Sequence, residues 1–344
     1  MRLSVLDQSP IRQGSTAGEA LRETVALAQL ADHLGYTRFW VSEHHNTTML
    51  AGSSPEVLIA HLGGQTQRIR LGSGGVMLPH YSALKVAENF RLLEALFPGR
   101  IDLGLGRAPG GDRLTASVLN PGNTFSERDF IQQLADLQGY LYDSHEPGSV
   151  QGRVRAMPEA PSVPEQWVLS SSGQSAALAA HFGMGFSFAH FINPLGGPQA
   201  VEAYRNRFRP SENRSEPAAN AAFFVFCSED SEKIHQQQTI VDYRFLQLET
   251  RGRFEHATYE QARRMVYSPA EQARILHNRK RMVMGTPEEV KARLLAYADD
   301  YGVEELMLTN IASDFEDRLE SYRLLAEAFD LPGVETARAE RVGI

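Results

Sequence analysis

The chain reads as an α/β protein, an eight-stranded (β/α) barrel of the TIM type, on three observations. About eight short β-like runs recur along its 344 residues, most of them followed by a stretch whose apolar positions return at helical spacing. That alternation calls for parallel strands with helices outside, and a count of eight favours a closed barrel over an open sheet. The bodies of the runs are dry, while polar and glycine-rich residues gather where the runs end. A barrel of about 250 residues also leaves a surplus here. It falls after the fourth strand (109–125 and 144–164, rich in Gly, Pro, Ser and charge) and after the seventh (250–284, unusually basic). With no strong linker, repeat or low-complexity tract, one domain over 1–344 is expected.

The elements follow in order. "MRLSVLD" is the first strand, and "AGEALRETVALAQLADHLGY" its helix, ended by Gly35 as a left-handed cap. "RFWVSE" leads to the helix in "SPEVLIAHLGGQT", and "IRLGSGGVML" to "SALKVAENFRLLEALF", which stops at Pro-Gly. "RIDLGLGRA" is the fourth strand. "QWVLSS" pairs with "GQSAALAAHFG", and "GFSFAHFI" with "GGPQAVEAYRNRF". "AAFFVFC" precedes the long stretch "SEDSEKIHQQQTIVDYRFLQL". Finally "TPEEVKARLLAYADDYG" runs into "EELMLTN" and the closing helix "FEDRLESYRLLAEAF".

Composition narrows the partners. A net charge of −8 argues against non-specific attraction to nucleic acid or anionic membrane. There is no charged-then-apolar leader pattern and no apolar run long enough to span a bilayer. The single cysteine, Cys227, makes no intrachain disulfide and reads as buried and structural, so a cytoplasmic location is expected.

In a barrel, chemistry sits at the C-terminal strand ends. The stretch "VSEHHNTTML" places Glu43, His44 and His45 at one of them. Neighbouring strand-end side chains point to opposite faces, so the two histidines cannot easily share a metal ion. The H-x-H pair that opens barrel metallohydrolases is missing from "RLSVLDQSP", and no metal site is expected. One histidine should face the barrel mouth and the other pack behind it.

"LSSSGQSAALAAHFG" ends a strand in serines and starts a helix near Gln174. Free N–H groups at a helix start, with hydroxyls beside them, suit a phosphate, and plain N-capping by Ser172 is the competing reading. Arg107, after "RIDLGLG", projects either as a phosphate clamp or into a structural salt bridge. Gly74-Gly75 lies inside a strand, where glycine often marks a close backbone approach by a ligand. Segment 250–284 is either a solvated face or a lid. Asp7, Gln8 and Ser9, with the insertions, are expected to shape the substrate pocket.

Taken together and in order, "GYTRFWVSEHH", "RIRLGSGGVMLP", "AENFRLLEALFPGRIDLGLGRAPGGD" and "SSSGQSAALAAHFGMGFSFAHFIN" resemble the bacterial luciferase-like flavin monooxygenase family, closest to its single-chain, non-luminescent members. The resemblance covers nearly the whole chain. It implies FMN bound at the C-terminal mouth, reduced by a separate NAD(P)H-dependent flavin reductase, with O2 giving a flavin hydroperoxide that oxidises a small organic substrate. Carried over position by position, it makes His44 the catalytic residue. It puts a non-proline cis bond at Gly74-Gly75 under the flavin, Arg107, Ser172 and Ser175 on the phosphate, Ser171 beside them, and His190 near the ring. It also implies a homodimer. A glycine, Gly106, precedes Arg107 where luciferase itself has cysteine, and 250–284 does not match luciferase's lid, so light emission is not expected. A flavin-storing protein without turnover, a deazaflavin-dependent hydride-transfer oxidoreductase and a metal-dependent hydrolase are the other readings.

Overall fold

A computed structural model describes residues 1–334 except 109, 123, 213 and 253–255, and of residue 251 the backbone alone. Parts of the expected insertions 109–125 and 250–284, and residues 335–344 of the expected domain, therefore lie outside the described residues.

Eight parallel strands close into the expected barrel. They are β1 (Arg2–Asp7), β2 (Arg38–Val41), β3 (Arg70–Ser73), β5 (Ile101–Gly106), β6 (Glu165–Ser170), β7 (Gly185–Ala189), β8 (Ala219–Cys227) and β10 (Glu305–Thr309). Closure comes from β10, which pairs with β1 on one side and with β8 on the other. The two-residue β4 (Val76–Met77) continues β3 past the glycine pair and pairs with β5. Outside the barrel run α1 (Ala17–Leu34), α2 (Pro55–Gly63), α3 (Ala83–Leu96), α5 (Glu127–Leu141), α6 (Gln174–His181), α7 (Gly197–Arg207), α11 (Pro287–Tyr301) and α12 (Phe315–Ala328). Their ends follow local chemistry. Thr16 and Glu19 form a capping box on α1, and Gly35 ends it at φ 84°.

The excursion after β5 carries a short helix, α4 (Arg113–Leu119), before α5. The excursion after β8 holds α8 (Ser231–Arg251), α9 (Tyr259–Ala262), α10 (Pro269–Arg279) and a ninth long strand, β9 (Met282–Gly285), paired to the outer half of β8. Its basic residues are largely paired within the excursion. Arg274 and Arg281 meet Glu249, and Arg279 meets Asp242.

Alternation along the strands sorts the interior into layers. Outward residues such as Leu3, Val5, Phe39 and Leu103 join the helices in the main core. Inward, the barrel floor is a buried charge network. Arg38 reaches Asp102 (2.9 Å), Glu305 (2.9 Å) and Glu165 (3.2 Å), while Asp102 also holds Arg70. Burial pushes the Asp102 carboxyl up, but Arg38 and Arg70 outweigh it and hold the group below the usual carboxylate range. Above the floor sits an apolar layer of Leu6, Trp40, Trp167, Ala222 and Met307. The space above that layer is open.

Candidate active site

Two cavities lie one over the other at the C-terminal ends of the strands. The deeper one, about 270 Å³, has Leu6, Trp40, Ala222 and Met307 as its base. Two residues further along the same strands, Gln8 and Phe224 line the second cavity, about 570 Å³. A step of two residues advances about 6.6 Å along a strand, so the second cavity stacks on the first. The edge-to-face pair Phe191–Phe224, with centroids 5.0 Å apart, joins them: Phe191 lines the deeper space and Phe224 the upper one.

The deeper cavity gathers Gly74, Gly75, Arg107, Ser171, Ser172 and Ser175. Arg107 extends from the end of β5 towards the start of α6, where its guanidinium donates to Gln174 Oε1 (3.4 Å). Among the described residues no carboxylate pairs with it, so it is not a structural salt bridge. Ser172 does not cap α6 either. The N-cap is Gly173 and receives no side-chain bond, while Ser172 is tied to Ser170. A cation, hydroxyls and an uncapped helix start thus face one space. That donor set suits a phosphate.

The peptide between Gly74 and Gly75 is cis. Neither glycine is spared a side chain by the cavity itself. A Cβ on Gly74 would lie 2.6 Å from Leu6 Cδ1, and one on Gly75 2.7 Å from the Gly104 carbonyl oxygen. The backbone of β5 requires glycine at 75, whereas at Gly74 the flexible end of Leu6 could give way, and bare backbone is what both present toward the cavity.

Glu43 explains how this segment is held. Its side chain is fully buried and accepts three bonds: Oε2 from the Met77 N–H (2.9 Å), Oε1 from the Tyr81 hydroxyl (2.8 Å) and from His45 Nε2 (2.8 Å). It ties the strand that follows the glycine pair to the end of β2, and it turns His45 away from the mouth. His44, of opposite parity, lines the upper cavity. Burial lowers the His44 pKa, a hydrogen bond to the Gly110 carbonyl partly offsets this, and His45 lowers it slightly further. The ring is therefore neutral near pH 7.

Three expected positions need correction. His190 is not brought to either cavity. It shares the outward face of β7 with Phe186 and Phe188, donates from Nε2 to the Lys280 carbonyl (2.9 Å) and accepts at Nδ1 from the Tyr301 hydroxyl (2.7 Å). Its neighbours Ala189 and Phe191 face the deeper cavity instead. Asp7 and Ser9 are buried behind the wall: Asp7 pairs with Arg318 (2.6 Å) and accepts from Thr24 (2.6 Å), whose hydroxyl also meets Ser9. Of the three, Gln8 alone lines the upper cavity. His256 lines it from within the expected insertion 250–284, and residues that sequence reasoning passed over also line it: Asn310, just past β10, and Arg244 on α8. Asn310 carried a readable signal, a polar residue at a strand end. Arg244 carried none.

No group of three or more His, Cys, Asp or Glu suited to a metal ion occurs among the described residues. No described helix is long and apolar enough to cross a membrane. Cys227 is buried, and burial pushes its thiol up to about 12, which fits a structural role.

A closed parallel barrel with two stacked cavities at the C-terminal ends of its strands, the deeper one lined by a cation and hydroxyls, has the architecture of a barrel enzyme. The particular family follows from comparison: residues 1–304 match the family model described as luciferase-like monooxygenase, and the chain belongs to that family. It is 52% identical over 328 residues to protein YwcH of Bacillus subtilis (strain 168), covering 95% of this chain and 98% of that one. It is 38% identical to the N-acetyl-S-alkylcysteine monooxygenase of the same organism, covering 95% and 98%. The crystal structure of apo-MsnO8 superposes with a TM-score of 0.88 at 37% identity, over 96% of this chain and 98% of that one. The protein is an enzyme of the monooxygenase class.

Proposed function

We propose that this chain is the oxygenase of a two-component system, an FMN-dependent monooxygenase that takes reduced FMN from a separate NAD(P)H-dependent flavin reductase. The observation that carries the reading is the stacking of two cavities: a phosphate cradle below and a largely apolar space with His44 above. A relative acting on N-acetyl-S-alkylcysteine supports a small organic substrate.

The residues fit the cofactor by their donor chemistry. Arg107, Ser172, Ser175 and the start of α6 would hold the phosphate, with Ser171 beside them, and the bare Gly74-Gly75 backbone would face the ring. Bound reduced FMN supplies two electrons to O2, so that one oxygen atom enters the substrate and the other leaves as water. What the chain supplies is position, dryness and proton control. Leu6, Trp40, Ala222 and Met307 exclude water from the base. Neutral His44, its ring anchored on the Gly110 carbonyl, offers its remaining nitrogen to the upper cavity as a proton acceptor that can return the proton. Glu43 fixes the wall through Met77. Val57, Leu92 and Leu96 are exposed apolar side chains on α2 and α3 that a homodimer could cover, and gel filtration would report the oligomeric state.

The test is the reoxidation of bound reduced FMN in air-saturated buffer, followed at the oxidised flavin's visible band. The wild type should slow reoxidation relative to free flavin, and His44→Ala should restore fast, single-phase reoxidation at equal flavin occupancy. Identical traces for wild type, His44→Ala and free flavin would overturn the role of His44.

A further inference from the structure

The turn that leads from β6 into α6 is braced from a neighbouring loop. Within residues 170–172, Ser170 Oγ accepts from the Ser172 N–H (3.1 Å) and donates to the Ser172 carbonyl (3.1 Å), so these bonds are internal to the turn. Among the described residues, one side-chain bond reaches the turn from outside. Asn193 Nδ2 donates to the Ser171 carbonyl oxygen (3.0 Å).

The orientation of that amide follows from its surroundings. Asn193 Oδ1 accepts from the Leu195 N–H (3.1 Å), two residues on. A flipped amide would set its NH2 against that N–H and its oxygen against the Ser171 carbonyl. The backbone N–H of Asn193 donates to the carbonyl of Ala189 (3.2 Å), the last residue of β7, so the brace starts from a barrel strand.

The Ser171 carbonyl and the Ser172 N–H belong to one planar peptide. Asn193 holds one edge of it and Ser170 the other, which fixes the direction in which the chain enters α6. At that entry the N-cap, Gly173, receives no side-chain bond, and the first N–H groups of a helix have no partner within it. Ser171, Ser172 and Ser175 line the deeper cavity there, and Asn193 stands behind them.

We propose that Asn193 is a positioning residue for the phosphate of the cofactor. It holds the 171–172 peptide so that the start of α6 and the serine hydroxyls converge on one point beside Arg107. This role rests on the reading of the deeper cavity as the flavin site. Backbone N–H groups hold an anion where they converge, and a bond that fixes them beforehand spares binding the cost of ordering them. The phosphate alone feels that convergence, because the ring would lie on the Gly74-Gly75 backbone.

The experiment titrates wild type, Asn193→Ala, Asn193→Asp and Arg107→Ala anaerobically with photoreduced FMN and with photoreduced riboflavin, which lacks only the phosphate. Asn193→Ala should weaken FMN about fivefold, the equivalent of about 1 kcal/mol, and change riboflavin by less than about twofold. Asn193→Asp keeps an acceptor for the Leu195 N–H but turns an oxygen and a negative charge on the turn, and should weaken FMN at least about tenfold. Where riboflavin is too weak a ligand to titrate, the phosphorus-31 resonance of bound FMN replaces it: displaced in Asn193→Ala it supports the proposal, and unmoved it overturns it. An FMN loss below about twofold in both Asn193 variants overturns the proposal, as does an equal loss for both flavins. So does loss of the fold in both variants, since the bond would then serve the fold and not the phosphate. Arg107→Ala separates the two claims. If it weakens FMN selectively and the Asn193 variants do not, this inference alone fails. If it does not discriminate the flavins, or wild type binds neither, the flavin reading fails and takes this inference with it.

Discussion

Glu43→Gln should loosen the wall of the deeper cavity and destabilise the protein together. In the native side chain Oε2 meets the Met77 N–H, and Oε1 meets Tyr81 and His45. An amide keeps one acceptor oxygen, which serves Tyr81 and His45, but sets its NH2 against the Met77 N–H. One buried donor left without an acceptor costs about 1–3 kcal/mol. The two remaining bonds lose their charge assistance, about 0.5–1 kcal/mol each. The sum is about 2–5 kcal/mol, a large share of the 5–15 kcal/mol that ordinary domains possess. Urea unfolding followed by tryptophan fluorescence reads the stability, and FMN fluorescence quenching reads the cavity under conditions where the variant stays folded. On the proposed function FMN affinity should fall several-fold, because Met77 lines the deeper cavity. A stability change below about 0.5 kcal/mol, with unchanged FMN affinity, would refute the reasoning, since surface-like substitutions fall in that range.

Two further outcomes follow from the charges. Asp102→Asn, which takes a shared carboxylate from Arg38 and Arg70 while leaving Glu305 and Glu165 on Arg38 and Glu165 on Arg70, should cost about 1–3 kcal/mol; a thermal midpoint unchanged from wild type would contradict this. His44, His190 and His256 all have pKa values lowered by burial, so the unfolded chain binds more protons than the folded one below about pH 6.5. Their contribution is fully present above that pH and is lost as pH falls through the folded values. The slope of stability against pH between about 6.5 and 5 should therefore be positive, up to about 1.4 kcal/mol per pH unit for each histidine, and shallower in His190→Phe; a flat profile would contradict it.

Much of this was legible in the chain because periodicity is a local property. The eight barrel strands, the cap at Gly35 and the gathering of Arg107, Ser172 and Ser175 at one strand-end cavity rest on short patterns whose meaning survives without neighbours. His190 shows where that stops. Its stretch, "GFSFAHFI", is apolar at nearly every position, so alternation does not mark which face turns inward, and the resemblance placed the side chain on the wrong one. Asp7 and Ser9 failed for a related reason. Their partners, Arg318 and Thr24, lie on helices whose approach no local pattern encodes. Arg244 and His256 reach the upper cavity through an excursion that also contributes β9, and only tertiary packing decides which of its many basic residues face inward. Glu43 stood in plain view beside His44, yet its importance lies in three contacts that include a backbone amide 34 residues away.

The central claim is that reduced FMN binds in the deeper cavity with its phosphate on Arg107. Anaerobic titration with photoreduced FMN, comparing wild type with Arg107→Ala, tests it most directly. Hydrogen bonds to charged groups contribute about 1.5–3 kcal/mol each, so binding should be saturable and Arg107→Ala should weaken it by at least about tenfold. Binding that Arg107→Ala leaves unchanged, or none by wild type in either redox state of the flavin, would contradict it.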